Sequence, residues 1–206
     1  EIGVRLVGSE MCIRDSGMPQ PQGYRKALRL FKHANKFKMP IVTLIDTPGA
    51  YPGIKAEETG QGAAIAMNLR EMSKLNVPIV SIITGEGCSG GALGLAVADR
   101  VMMLEHAYYT VISPEGCASI LWRDAARYAD AAEALKITSK DLLELGIIDE
   151  EISEPLGGAH SDYNVVAENM KSSIINALNE LAKKSPEKLR EERYNKFRQM
   201  GRFIED

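Results

Sequence analysis

The chain is poor in cysteine, has no long apolar run and carries no strong excess of either charge. Cys12, Cys88 and Cys117 are its only thiols. None makes the C-x-x-C spacing of a zinc site, so we expect no structural metal here, and a reducing compartment fits best. The apolar stretches are broken by Gly, Ser or charged residues, which excludes a membrane-spanning helix. A net charge of −3 over 206 residues offers no electrostatic case for nucleic acid. The first residues also lack the basic region and apolar stretch of a signal peptide. What is present is 45% apolar content, enough for one sizeable core.

Residues 1–16 show no clear period. From Gly17 the pattern is regular. Met18 to Gly23 reads as a loop, and Tyr24, Leu28, Phe31, Ala34 and Phe37 then recur at helical spacing up to Pro40. Ile41 to Ile45 and Pro78 to Ile83 read as short, fully buried strands. Between them lies a loop, Asp46 to Gly53, and a helix from about Glu57 with Ile65, Leu69 and Met72 on one face. Ala92 to Ala98 forms a small-residue helix. Arg100 to Leu104, Tyr108 to Ile112 and Ile147 to Ile152 are further strands. Ser113-Pro114-Glu115 starts a helix carrying Ile120, Leu121 and Trp122, and Thr138 to Asp141 resembles a capping box closed by Gly146. Two helices end the chain. The Lys, Arg and Glu residues after Lys183 read as a solvated face. Strands alternating with helices predict an α/β domain.

The chemistry concentrates in Thr84-Gly-Glu-Gly-Cys-Ser-Gly-Gly-Ala-Leu-Gly94, between a strand expected to end near Ile83 and a helix. Gly90 and Gly91 fall at the first helical turn, where backbone N–H groups have no intrahelical acceptor. Such amides, with the helix dipole, suit an oxyanion. Glycines needed only for tight packing are the plainer alternative. Gly87-Cys-Ser-Gly-Gly91 also matches G-x-S-x-G, which raises a serine hydrolase with Ser89 as nucleophile. That chemistry needs a histidine base and a carboxylate. His33, His106 and His160 are the only histidines, and none stands in an ordered Ser–acid–His pattern. Asp46, Glu57 and Glu58 form no paired-carboxylate motif, and Glu86 is better suited to shaping the turn.

Five segments together resemble the carboxyltransferase alpha subunit of bacterial and plastid acetyl-CoA carboxylase. They are Gly17 to Ala27, Ile45 to Gly53, Gly85 to Leu93, Ile112 to Cys117, and Glu154-Pro-Leu-Gly-Gly-Ala-His160. The resemblance covers residues 17–206 and implies a crotonase-like α/β fold, a spiral of ββα units with C-terminal helices used in assembly. It implies transfer of a carboxyl group from carboxybiotin, on a separate biotin carboxyl carrier protein, to acetyl-CoA, giving malonyl-CoA. It further implies a zinc-binding beta subunit in an α2β2 heterotetramer, a biotin carboxylase in the same system, and a bacterial cytoplasm or plastid stroma as its location. Carried onto this sequence, the backbone amides of Gly90 and Gly91 bind the biotin ureido oxygen, the beta subunit holds the acetyl-CoA enolate, and Ser89 only shapes the turn.

Three departures stand out. Cys88 replaces the glycine usual in the family and is expected to point outward. Gln22 replaces an acid. Residues 1–16 do not resemble the family, whose alpha subunits carry a helical and basic stretch there. We expect a truncated gene joined to foreign or mistranslated sequence, with a basic active-site group missing. A non-catalytic scaffold is the remaining alternative.

Overall fold

The computed structural model describes residues 17–201. Helix α1 (Pro21–Lys36) leads into a parallel sheet in which β1 (Ile41–Thr47), β2 (Ile79–Cys88), β3 (Arg100–Leu104) and β5 (Glu150–Ile152) lie side by side in that order. A short β4 (Tyr108–Thr110) pairs in parallel with the far end of β2. Parallel neighbours require crossovers. Helices α2 (Ile54–Glu58) and α3 (Gln61–Met72) join β1 to β2, and α4 (Ser89–Ala96) joins β2 to β3. After β4 come α5 (Pro114–Trp122), a 3₁₀ turn (Ala125–Arg127), α6 (Tyr128–Leu135) and α7 (Ser139–Glu144), which lead to β5. Helices α8 (Tyr163–Leu181) and α9 (Pro186–Arg198) follow.

β2 is the central strand, and Ile79 to Ile83 are buried on both faces, as an apolar run in a parallel sheet should be. Together with Ile45, Met72, Met102, Met103, Leu104, Leu181 and Leu189 they make one core. β1 departs from the fully buried strand expected. Its residues alternate, with Val42 41% and Leu44 44% exposed. The cause is position: among the described residues β1 is an edge strand with one covered face.

The helix boundaries follow local chemistry. α1 starts at Pro21, inside the stretch read as loop, because a proline's fixed φ and missing N–H suit a first turn. Gly60, at φ +81°, separates α2 from α3 where one helix was expected. The buried stripe of α3 is Gln61, Ala64, Asn68 and Met72, while Ile65 and Leu69 are only half-buried. Gln61 turns inward because its amide nitrogen donates to the carbonyls of Pro19 (2.8 Å) and Tyr51 (3.1 Å), tying two loops together. The Ser113 and Thr138 caps form as expected, accepting from the amides of Gly116 and Asp141. In α5 the small residues Cys117 and Ala118 face inward, and Ile120 and Leu121 are 71% and 62% exposed. The strands at Tyr108 and Glu150 are shorter than the runs that predicted them.

The basic tail differs most from expectation. Arg193 of α9 is only 1% exposed, and its guanidinium spans a buried gap. It pairs with Asp99 through Nε–Oδ1 (2.9 Å) and Nη2–Oδ2 (2.8 Å). It also donates to the carbonyls of Met72 (2.8 Å), Leu75 (3.0 Å) and Val77 (3.0 Å). Lys196, largely buried by α9 packing, pairs with Asp149. Charge composition suggested solvent here; the spacing of Leu189, Arg193 and Lys196 instead makes an inward stripe.

Removing one partner of a buried ion pair strands the other charge. Arg193→Ala should therefore lower unfolding free energy by about 3–5 kcal/mol, read by urea denaturation. Arg193→Lys should recover only part of that, since an ammonium cannot span all five acceptors.

Candidate functional site

The glycine-rich segment is not a free turn after Ile83. β2 continues to Cys88, because Glu86, Gly87 and Cys88 pair with Tyr108, Tyr109 and Thr110, and Thr47 lies opposite Gly87. Cys88 is extended (φ −120°, ψ 140°), Ser89 adopts φ +54°, and α4 begins at once. The strand–Ser89–helix junction is thus as sharp as a nucleophile elbow, a correction to the loose connection expected from sequence. A left-handed serine is uncommon and strained.

Neither Gly90 nor Gly91 has positive φ, so dihedral freedom does not explain them. Space does, differently for each. A Cβ on Gly91 would lie 2.4 Å from the Ala50 nitrogen and 2.6 Å from the Gly49 carbonyl carbon. A Cβ on Gly90 would meet nothing nearer than Ile65 Cγ2 at 3.9 Å, and Gly90 is exposed. Gly91 is where two backbones touch; Gly90 is an open approach to the first turn of α4. The amides of both lie in that turn, where helical geometry gives them no acceptor.

Surrounding groups hold this junction. Thr47 Oγ1 accepts from the Gly49 amide (3.1 Å) and donates to the Gly49 carbonyl (2.8 Å), shaping the loop that abuts Gly91. Gly49 itself sits at φ +142°. Asp46 Oδ1 accepts from the Glu86 amide (2.9 Å), and a Cβ on Gly85 would lie 2.6 Å from that oxygen. The Tyr24 hydroxyl, from the first motif, donates to the Gly91 carbonyl (3.0 Å). No local sequence signal marks Tyr24, Thr47 or Asp46 as neighbours of the turn; only pairing of β1 with β2 and packing of α1 bring them there.

Cys88 points inward and is buried, not outward as expected, because strand alternation and β4 pairing fix its side. Burial, then the Glu86 charge, pushes its thiol up, so it is a packed group and a poor nucleophile. Burial and the adjacent Glu86 carboxylate push Tyr108 up to about 12; burial alone does the same for Tyr109. Glu86 lies opposite Tyr108 in the pairing of β2 with β4.

The histidines do not complete a triad. His33 lies on α1 beside Phe37. His106 Nδ1 faces Glu154 Oε2 at 3.2 Å. It lines a cavity of about 360 Å³ with Thr84, Gly85, Gly158 and His160. Glu154 is buried and also accepts from the amides of His106 (3.0 Å) and Ala159 (2.6 Å), so it organises the last motif. Among the described residues no hydrogen bond joins Ser89 to a histidine.

Residues 8–201 match the family described as acetyl co-enzyme A carboxylase carboxyltransferase-like. The chain belongs to that family. The match begins inside the segment 1–16, whose structure lies outside the described residues. The carboxyltransferase alpha subunit of Geobacter metallireducens is 60% identical over 196 residues, covering 95% of this chain and 62% of its own length. That of Synechococcus elongatus is 60% identical over 193 residues, covering 94% of this chain and 59% of its own. The chain thus spans about three-fifths of these curated relatives. Among solved structures, a transcarboxylase 12S superposes with TM-score 0.73 at 23% identity, covering 84% of this chain and 33% of that one. A Pseudomonas malonate decarboxylase hetero-tetramer in complex with coenzyme A gives 0.66 at 16% identity, covering 81% and 67%. These likenesses show the fold, the crotonase-like α/β architecture expected of a carboxyltransferase alpha chain.

Two measurements check this geometry. Gly91→Ala should destabilise this carboxyltransferase-family chain by about 1–3 kcal/mol through overpacking. Gly90→Ala should leave stability within about 1 kcal/mol of the parent, since helix propensity there favours Ala. Equal costs in urea denaturation would contradict the different surroundings assigned to the two. Separately, Glu86→Gln should bring Tyr108 part of the way down from about 12 toward its ordinary 10.0, followed by tyrosinate absorbance, with Tyr109 unmoved. Both folded values lie above the unfolded one, so their contribution to stability holds below pH 10 and is lost as pH rises toward 12.

Proposed function

We propose that this chain carries the biotin half of the carboxyltransferase reaction of acetyl-CoA carboxylase. The carrying observation is the pairing of an open Gly90 with a backbone-packed Gly91 at the first turn of α4. An oxygen bearing developing negative charge can reach those amides without meeting a side chain. The fit to a biotin ureido oxygen rests on that donor set: two neutral N–H groups, fixed in direction and favoured by the helix dipole. Carboxybiotin on a separate carrier supplies the transferable carboxyl group, and acetyl-CoA receives it to give malonyl-CoA.

The chain's own residues bind and orient. Gly90 and Gly91 stabilise charge, Gly49 and Ala50 hold Gly91 in place, and Ser89 makes the bend. Among the described residues no hydrogen bond joins Ser89 to a histidine, so no base is assigned to this chain and acceptance of the substrate proton is left to biotin itself. The enolate oxygen of acetyl-CoA is assigned to a zinc-binding beta subunit in an α2β2 assembly. That system, with carrier protein and biotin carboxylase, belongs to a bacterial cytoplasm or plastid stroma. No helix among the described residues is long and apolar enough to cross a membrane.

A serine hydrolase is the second reading, favoured by the left-handed Ser89 directly after β2. The test uses malonyl-CoA-dependent carboxylation of biotin, the reverse reaction, with a beta subunit added. It is run on this chain and on a version extended to the length of the curated relatives. Gly90→Val should reduce the rate by about 100-fold or more, the scale of a lost oxyanion donor, while Ser89→Ala changes it little. Inactivity of both parent forms would sink the proposal, and ester cleavage abolished by Ser89→Ala would favour the hydrolase.

A further inference from the structure

α4 reads Ser89-Gly-Gly-Ala-Leu-Gly-Leu-Ala96, and its inward positions are Gly91, Ala92, Gly94 and Ala96. A helix with so little side chain gains close approach to the sheet but has few interlocking groups to fix its rotation or slide. Three hydroxyls from other elements supply what the side chains do not. At its C-terminal end, the Leu95 carbonyl lies 2.9 Å from Thr43 Oγ1 of β1 and 3.0 Å from Ser81 Oγ of β2. The two hydroxyls are 2.7 Å from each other, so two protons serve three oxygen contacts. At the N-terminal end stands Tyr24. Its ring is buried, its Cε1 lies 3.2 Å from where a Gly94 Cβ would be, and its hydroxyl donates to the Gly91 carbonyl at 3.0 Å.

We propose that Tyr24 is a positioning residue for the reaction: its buried hydroxyl fixes the direction in which the Gly90 and Gly91 amides point. This rests on the reading of those amides given above. Gly91 is held on its Cα side by Gly49 and Ala50, and through its carbonyl by Tyr24. These two restraints act from different directions, so together they stop the first turn from rotating. The ring of Tyr24 fills the space under Gly94, and its hydroxyl fixes the register of the Gly91 peptide. Phenylalanine at this position keeps the first role and loses the second.

The experiment compares Tyr24→Phe with Ser81→Ala, which weakens the opposite end of α4. Amide hydrogen exchange on the whole chain reads position without requiring turnover. The amides of Gly94 and Leu95 bond the carbonyls of Gly90 and Gly91 in helical geometry and so report on the first turn. In Tyr24→Phe, exchange at Gly94 and Leu95 should quicken by about tenfold while Val101 to Met103 in β3 stay protected. Ser81→Ala should lower Tm without quickening Gly94 or Leu95. With the beta subunit present, Tyr24→Phe should lower kcat by about tenfold with KM for malonyl-CoA unchanged, as expected for donors displaced by a fraction of an ångström. Unchanged exchange at Gly94 and Leu95, a quickening shared equally by β3, or an unchanged kcat in an active pair would each overturn the assignment. If the parent chain proves inactive with its partner, the functional reading fails, while the exchange data still decide whether Tyr24 holds the turn.

Discussion

Arg193 and Asp99 make the contact on which the placement of the rest depends. Asp99 sits between α4 and β3, and its Oδ2 accepts both from Arg193 and from the backbone amide of Ile79 (2.7 Å), the first residue of β2. The guanidinium takes up the carbonyls of Met72, Leu75 and Val77, which end α3 and lead into the same strand. One side chain from the far end of the chain therefore closes the entry to β2, the exit of α3 and the link from α4 to β3. Burying a full charge costs several kcal/mol, and only complete hydrogen bonding offsets it. Here every partner is supplied, and four of the acceptors or donors are backbone groups at chain reversals, the carbonyls of Met72, Leu75 and Val77 and the amide of Ile79. The result is a fixed starting point for β2, ten residues before the bend at Ser89.

From that fixed start, the site is built by subtraction. β2 crosses the core with five buried residues, then carries glycines where Asp46 and Tyr109 press against it. α4 has glycine where the Gly49–Ala50 backbone presses on it, and none of these contacts leaves room for a side chain. Gly90 is different: there the space is open, so a side chain would obstruct an approaching group without disturbing the fold. Close contact at Gly91 and openness at Gly90 are complementary. The first makes the turn rigid, and the second makes it reachable. Preorganisation of this kind is what lets weak neutral donors stabilise a transient charge.

Much of this was legible in the sequence. The α/β alternation, the Ser113 and Thr138 caps and the helix-start position of Gly90 and Gly91 all follow from local rules. Family resemblance supplied the crotonase-like fold. What local rules missed depended on neighbours distant in the chain. The extension of β2 through Gly87 needs β4 as a partner, and Tyr108 lies twenty-two positions beyond Glu86. The inward turn of Cys88 follows from that pairing. Arg193 read as solvated because its sequence neighbours are charged, yet its carboxylate lies ninety-four positions away. Gln61 and Tyr24 likewise act through carbonyls that no periodicity reveals. Apolar patterning locates a core; it does not say which polar group will be needed inside it.

The bend at Ser89 shows why geometry alone does not name a reaction. A strand, one left-handed residue and a helix make the frame of a serine nucleophile and equally the frame of an amide cradle. In a hydrolase the side chain at the bend is presented to a base, and the amides beyond it serve the oxyanion. Among the described residues His106 is paired with Glu154, and it lines a cavity with Thr84 and Gly85 rather than with Ser89. Among the described residues no hydrogen bond joins Ser89 to a histidine, which favours the second use of the bend. On the proposed reading the helix amides carry the chemistry, the serine is the hinge that aims them, and the demand shifts from a reactive side chain to a rigid backbone. That demand accounts for the buried hydroxyls, close glycine contacts and distant arginine around an eight-residue helix in which all but Leu93 and Leu95 are small.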